Sequence, residues 1–330
     1  MTRPAILLLA LLLCPVAAAE QAPPILREAQ IIPLPHVEGR IDHFGVDLRG
    51  KRVFVSALGN NTAEVIDAAA GKVVHTIAGL SEPQGIAYVR ESDRLVIANG
   101  ADGSCRIFDA STYQQLHLID LKDDADNIRH DAERGRVWVG YGNGALALVD
   151  VNVGTILQTI PLPGHPESFR LEKRGGRIFV NVPAARQIAI VDRKQGKVVA
   201  SWHLEEKGNF PMAFDEPNHR LLVVCRDPTK LLVFDTDSGK QVASSDCVGD
   251  ADDIWLDPQT RHVYITGGEG FISVIEQADK DHYRQVGKLP TAPGARTSLF
   301  VPQWQQLFVA VPHRGDQPAE VRVYSAGPQF

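Results

Sequence analysis

The sequence predicts an all-β protein made of repeated four-stranded antiparallel sheets, and three observations carry that prediction. From Arg40 to Ile77 the apolar residues fall in short runs, VFVSA, AEVID and VVHTI, separated by the turn-forming stretches RGK, GNN and AAGK. That is the period and punctuation of an antiparallel meander. The pattern then returns until there are seven copies at a spacing of about 42 residues, which lies in the range of propeller blades. Finally, the seventh copy, from Arg296 to Ser325, stops after its third strand, while ILREAQIIPLP (25–35) ahead of the first copy resembles the fourth-strand endings HTIAGL and QTIPLP. A sheet cannot bury its own face, so sheets stacked around an axis, with the N-terminal strand completing the last one, satisfy all three. The prediction is a seven-bladed β-propeller of four-stranded antiparallel blades, its ring closed by the N-terminal strand, which leaves no open edge.

Taken in order, residues 1–19 read as a signal peptide. Arg3 precedes the apolar run AILLLALLL (5–13), and Ala17, Ala18 and Ala19 offer a small-residue cleavage site before Glu20, the layout of a secretory leader. The run is too short to span a bilayer. Cys14 raises the alternative of lipid attachment, but its neighbours Leu13 and Pro15 suit that poorly. The mature chain, 20–330, is expected to be one domain, periplasmic or secreted, and monomeric.

The second strand of each copy reads RVFVSA (52–57), RLVIAN (94–99), RVWVGY (136–141), RIFVNV (177–182), RLLVVC (220–225), HVYITG (262–267) and QLFVAV (306–311). The third reads AEVID, CRIFD, LALVD, IAIVD, LLVFD, ISVIE and VRVYS. A net charge of −6, with acidic and basic residues interspersed, supplies no basic footprint for duplex nucleic acid. Beyond Cys14 there are three cysteines, Cys105, Cys225 and Cys247. In an oxidising compartment an odd count permits one bridge and one spare thiol. Cys225 and Cys247 end the second and fourth strands of one repeat, so a Cys225–Cys247 bridge and three small buried thiols both remain open.

Repeats of the form VIDAAAGKVV (65–74), IVDRKQGKVV (190–199) and VFDTDSGKQV (233–242) resemble the YVTN-type β-propeller repeat, and the mature chain resembles exported bacterial YncE-like proteins. That superfamily includes lactonase-type propellers and the d1-haem propeller domain of nitrite reductases. The resemblance implies the fold and leaves the activity open.

Function is therefore sought where the copies differ. Just inside the first strand, one column reads Asp42, Gln84, Asp126, Glu167, Phe210, Asp252 and Arg296. The next reads His43, Gly85, Asn127, Ser168, Pro211, Asp253 and Thr297, with Arg40 and His165 just outside. Loops between second and third strands on the same face add Asn60, Asn99, Arg226, His313 and Arg314. Packing asks for equivalent apolar residues in every blade, so polar side chains that differ from blade to blade mark the mouth of the channel as a binding site for an asymmetric ligand. The competing explanation is a solvated channel whose polar residues pair with one another. Asp42, Asp126, Glu167 and Asp252 also offer oxygens to a divalent cation, although no loop has the spacing of a known calcium motif. His43, His165 and His313 lack the local spacing of a transition-metal or haem site. No cofactor is predicted.

The parts of a nucleophilic hydrolase are missing, since no G-x-S-x-G elbow occurs and no serine or cysteine stands beside a recognisable base; separately, no nucleotide-binding glycine pattern follows a strand into a helix. The expectation is a binding or docking protein that holds a small polar ligand, peptide or partner protein at the channel mouth without turnover. One alternative is a lactonase-like hydrolase in which Asp252 or Glu167 activates water while His43 or Arg296 steadies the oxyanion. Another is a propeller subunit of an exported redox or metal-handling complex.

Overall fold

The computed structural model describes residues 25–131, 133 and 135–327; the leader and its cleavage site lie outside them. Seven four-stranded antiparallel sheets follow one another, blades 1 to 6 covering 44–77, 83–120, 125–161, 169–203, 207–245 and 251–290. Blade 7 joins Ser298–Val301, Gln306–Val311 and Glu320–Ala326 to the N-terminal strand Leu26–Pro33. That strand pairs from Leu26 opposite Ala326 to Pro33 opposite Glu320, so the ring closes as the short seventh copy predicts. Within each blade the strands are lettered a to d from the channel outwards.

Burial explains the sequence pattern. Strand b of blade 1, Arg52–Ala57, is buried along nearly its whole length, whereas strand d, Lys72–Ile77, is exposed at most positions. A strand covered on both faces reads as a continuous apolar run, and strand b has a neighbouring blade on each side. The core is accordingly divided among the blade interfaces. Ile32, Val53, Val55 and Val321 fill the interface between blades 7 and 1, and Phe179, Ile188, Met212 and Leu232 that between 4 and 5.

The V-x-D ending of strand c has a local cause. Asp67 Oδ1 accepts the N–H groups of Ala69 and Ala70, and Gly71 N–H donates to the Asp67 carbonyl at 2.8 Å. Asp150 and Asp235 hold their turns in the same way. The turn ends at a left-handed residue, Gly71 at φ 62° and Gly154 at φ 73°, where a side chain would be strained. This explains the recurring Asp followed by Gly four residues later.

Cys105, Cys225 and Cys247 are free thiols in this structure. Burial pushes each up to about 12, so none is primed as a thiolate.

Candidate functional site

The polar columns fall on a repeated break in the ladder between strands a and b. Register slips between Pro83 and Ile86, between Ala125 and Ile128, between Asn209 and Met212, and between Ala251 and Asp253. Blade 1 makes the same two-against-one arrangement: Asp42 N–H donates to the Ser56 carbonyl at 2.7 Å, and Ser56 N–H to the His43 carbonyl at 3.0 Å. Glu167 and Ser168 repeat it against Asn181 in blade 4. A bulge interrupts pairing and re-aims side chains, and here it places one pair of variable residues per blade at the channel mouth.

Acidic and imidazole groups interleave around that mouth. His43 stands between two buried carboxylates, its Nε2 3.6 Å from Asp42 and its Nδ1 3.6 Å from Asp253. Burial opposes the charged imidazole, yet Asp42 and Asp253 outweigh it and raise His43 to about 10. Burial likewise raises Asp42 above the usual carboxylate range. Asp253 Oδ2 also accepts the Ser298 N–H at 2.8 Å, which fixes the carboxylate. In blades 3 and 4, His165 Nδ1 donates to the Gly142 carbonyl at 2.7 Å, leaving Nε2 3.9 Å from both Asp124 and Asp126. Burial again opposes the charge, but Asp126, Gly142 and Asp124 lift His165 to about 9. Gln84 donates to Asp124 at 2.8 Å, and Asn127 to Asp126 at 3.3 Å.

Blade 6 faces two arginines. Asp252 receives Arg226 at 2.7 Å and Arg296 at 3.1 Å, while Arg296 also reaches Asp250 at 3.0 Å. Burial nevertheless pushes Asp252 up to about 7, with Arg226 opposing and Asp42 adding to the shift. Glu167 is different. Its side chain takes part in no hydrogen bond or ion pair among the described residues, and burial, then Asp126 and Asp252, pushes it up to about 8. It thus presents an unclaimed carboxyl to the mouth, able to donate when protonated and to accept when ionised.

Three further predicted residues, Arg40, His313 and Arg314, gather with Arg296 at the edge of this ring. Arg40, Arg296, His313 and Arg314 line a hollow of about 200 Å³ at the junction of blades 7 and 1. His313 is 2.7 Å from Glu38, and Arg40 is 3.6 Å from Asp42. Two residues do not converge on either place. Asn99 is fully buried and braces its loop, accepting the Ser81 N–H and donating to Ile97 and Ser104. Asn60 likewise braces Glu38 and Thr62. Among the described residues no group of three or more His, Cys, Asp or Glu stands at metal-holding spacing.

One layer lies deeper than the columns singled out in the sequence. Three residues past the first column, the blades carry Gly45, Ala87, Arg129, Arg170, Ala213, Trp255 and Leu299. Gly45 and Ala87 leave room, and a cavity of about 190 Å³ lies among His43, Arg129, Asp253 and Trp255 and reaches His130. Reading the bulge columns alone misses this layer and His130, which lines the same cavity. The signal was available: arginine twice in a column otherwise small or apolar.

No family model matches the chain. THO complex subunit 6 of Arabidopsis thaliana is 27% identical over 138 residues, 41% of this chain and 37% of that protein, so the likeness spans well under two thirds of the relative. Among solved structures, a chain of Kuenenia stuttgartiensis hydrazine synthase superposes with a TM-score of 0.73 at 16% identity, covering 84% of this chain and 93% of that one. A chain in the crystal structure of the mitotic checkpoint complex gives 0.77 at 13% identity, covering 96% and 98%. Identities this low show the propeller fold alone.

Proposed function

We propose that this chain is an exported propeller of the YVTN-repeat type that holds a small polar ligand at its channel mouth without turning it over. Export rests on the leader-like residues 1–19. The observation that carries the binding reading is Glu167, a carboxyl pushed up to about 8 that has no hydrogen-bonding partner in a ring whose other acids are engaged. A merely solvated channel has no need to place an unpaired acid beside Asp126 and Asp252, because the burial and repulsion weaken the fold. A ligand offering hydrogen-bond donors or a cationic centre relieves that repulsion and gains from it. The test is a thermal-shift screen of small polar compounds on wild type and Glu167→Gln, since binding to the native state raises stability by mass action. A hit that Glu167→Gln weakens supports the reading; hits indifferent to it place the ligand elsewhere.

The same observation favours one second reading, a lactonase-like hydrolase, since a carboxyl near 8 is suited to general acid–base chemistry at neutral pH. Hydrolysis of a lactone panel by wild type, lost in Glu167→Gln, would replace the binding reading.

A further inference from the structure

Arg129 and Arg170 occupy equivalent positions on the inner strands of blades 3 and 4, three residues past Asp126 and Glu167. Their partners are neutral. Arg129 donates from Nε to the Phe169 carbonyl at 3.2 Å, from Nη1 to the Ile128 carbonyl at 2.8 Å, and from Nη2 to Ser168 Oγ at 3.3 Å. Arg170 makes a single bond, Nη1 to the Phe169 carbonyl at 3.3 Å, which leaves most of its guanidinium N–H groups without a protein acceptor. Across the channel its guanidinium lies 5.9 Å from the centre of the Trp255 ring in blade 6. Among the described residues neither arginine has a carboxylate within ion-pair distance, and Asp253 is the acid that acts on both at longer range.

The other arginines around the mouth are unlike these two. Arg226 and Arg296 are each matched by a carboxylate at 2.7 Å and 3.1 Å, whereas the deeper pair leaves two neighbouring positive charges unmatched. Burial draws Arg129 down to about 10, and burial together with the charge of Arg129 draws Arg170 well below its ordinary value. Unmatched charge in a poorly solvated place is costly to keep, and planar guanidinium groups are suited to carboxylate and phosphate oxygens. The adjoining cavity of about 190 Å³ is open beside Arg129 and walled by Trp255, enough for a small anion and an apolar fragment attached to it.

We propose that the channel contains a second, deeper subsite that binds a small oxyanion, a carboxylate or a phosphate, between Arg129 and Arg170 with Trp255 as its wall. The oxyanion accepts the free N–H groups of Arg170 and those of Arg129 not held by Phe169, Ile128 and Ser168. The subsite lies one layer below the mouth, and its cavity shares His43 and Asp253 with the mouth ring, but it does not depend on the ligand assigned to Glu167.

The test is calorimetric titration of the full mature chain with inorganic phosphate and, separately, with acetate, at constant ionic strength and with no mouth ligand present. Saturable binding of at least one is expected, weakened tenfold or more in Arg170→Gln and partly retained in Arg170→Lys, because charge survives and the planar fork does not. Phosphate alone binding assigns a phosphate site, and acetate alone a carboxylate site. Quenching or enhancement of tryptophan fluorescence on saturation should disappear in Trp255→Phe, which checks location without touching either arginine. No saturable binding of either anion, or equal affinity in wild type and Arg170→Gln, would overturn the proposal. If Arg170→Gln does not fold, the Arg170→Lys and Trp255→Phe comparisons decide it alone. Failure of this titration leaves the reading of Glu167 untouched.

Discussion

Replacing Glu167 with glutamine should make the protein more stable in alkaline buffer and leave it unchanged in acid. Glu167 rises from the ordinary glutamate value of 4.5 to about 8, chiefly through burial. A group whose folded pKa lies above its unfolded value keeps its proton longer in the folded protein. Its contribution is fully present below about pH 4.5 and is lost as pH climbs through about 8, because over that span the unfolded chain ionises freely and the folded one does not. At about 1.4 kcal/mol for each tenfold change in proton affinity, the ceiling is ~5 kcal/mol. Glu167 stands at the open mouth, where solvent screening reduces the penalty below that ceiling, so ~2 kcal/mol is expected at pH 8.5. Urea unfolding followed by tryptophan fluorescence at pH 4.5, 6.5 and 8.5 measures it, provided the slope with denaturant is common to both proteins. Superimposable pH profiles for wild type and Glu167→Gln, or a variant less stable at pH 8.5, would refute the electrostatic account of the mouth.

Three other outcomes follow from the same geometry. Deleting residues 25–35 removes the strand that pairs with Glu320–Ala326 and bares a row of backbone donors and acceptors, so the shortened chain should aggregate or melt far lower; an unchanged melting temperature in a monomer would contradict the closure. Denaturing alkylation of a chain lacking residues 1–19 should give a mass with three modified cysteines, in line with the free thiols Cys105, Cys225 and Cys247, whereas a single modified cysteine would show that one bridge forms, with Cys225 and Cys247 the candidate pair. Asp252→Asn and Arg296→Gln each remove one side of the 3.1 Å contact between them, but Arg226 still holds Asp252 and Asp250 still holds Arg296; each should therefore shift stability by about 1 kcal/mol while weakening any mouth ligand by about 2 kcal/mol, since the ligand group is left desolvated and unpaired.

The fold was legible because its causes are local and repeated. Asp67, Asp150 and Asp235 cap turns through their own side chains, and strands such as Arg52–Ala57 carry an unbroken apolar run, Val53–Val55, because a blade lies on either side. The closing strand was legible because a repeat makes a missing member visible. The mouth was only partly readable. The columns holding Asp42, Asp126, Glu167 and Asp252 follow from alignment of the copies, but which acid is matched depends on loops outside the columns: Asp124 and Asp250 arrive from the turns between blades and engage Gln84, His165 and Arg296. Asn99 looked like a rim amide because it ends strand b, yet the loop folds over it and uses its side chain. The arginine layer went unread because the columns singled out stop at the mouth, although Arg129 and Arg170 stand out among small or apolar residues three positions further along the aligned copies.

Whether the mouth of the channel is a binding site built around the unmatched carboxyl of Glu167 is decided by one measurement. A small polar compound found by thermal shift is titrated calorimetrically into wild type, Glu167→Gln and Asp252→Asn at one pH and ionic strength. Affinity lowered by about tenfold or more in both variants, with their melting temperatures equal to or above that of wild type, is the predicted result. Equal affinities in all three proteins would contradict it and leave the ring as a solvated channel.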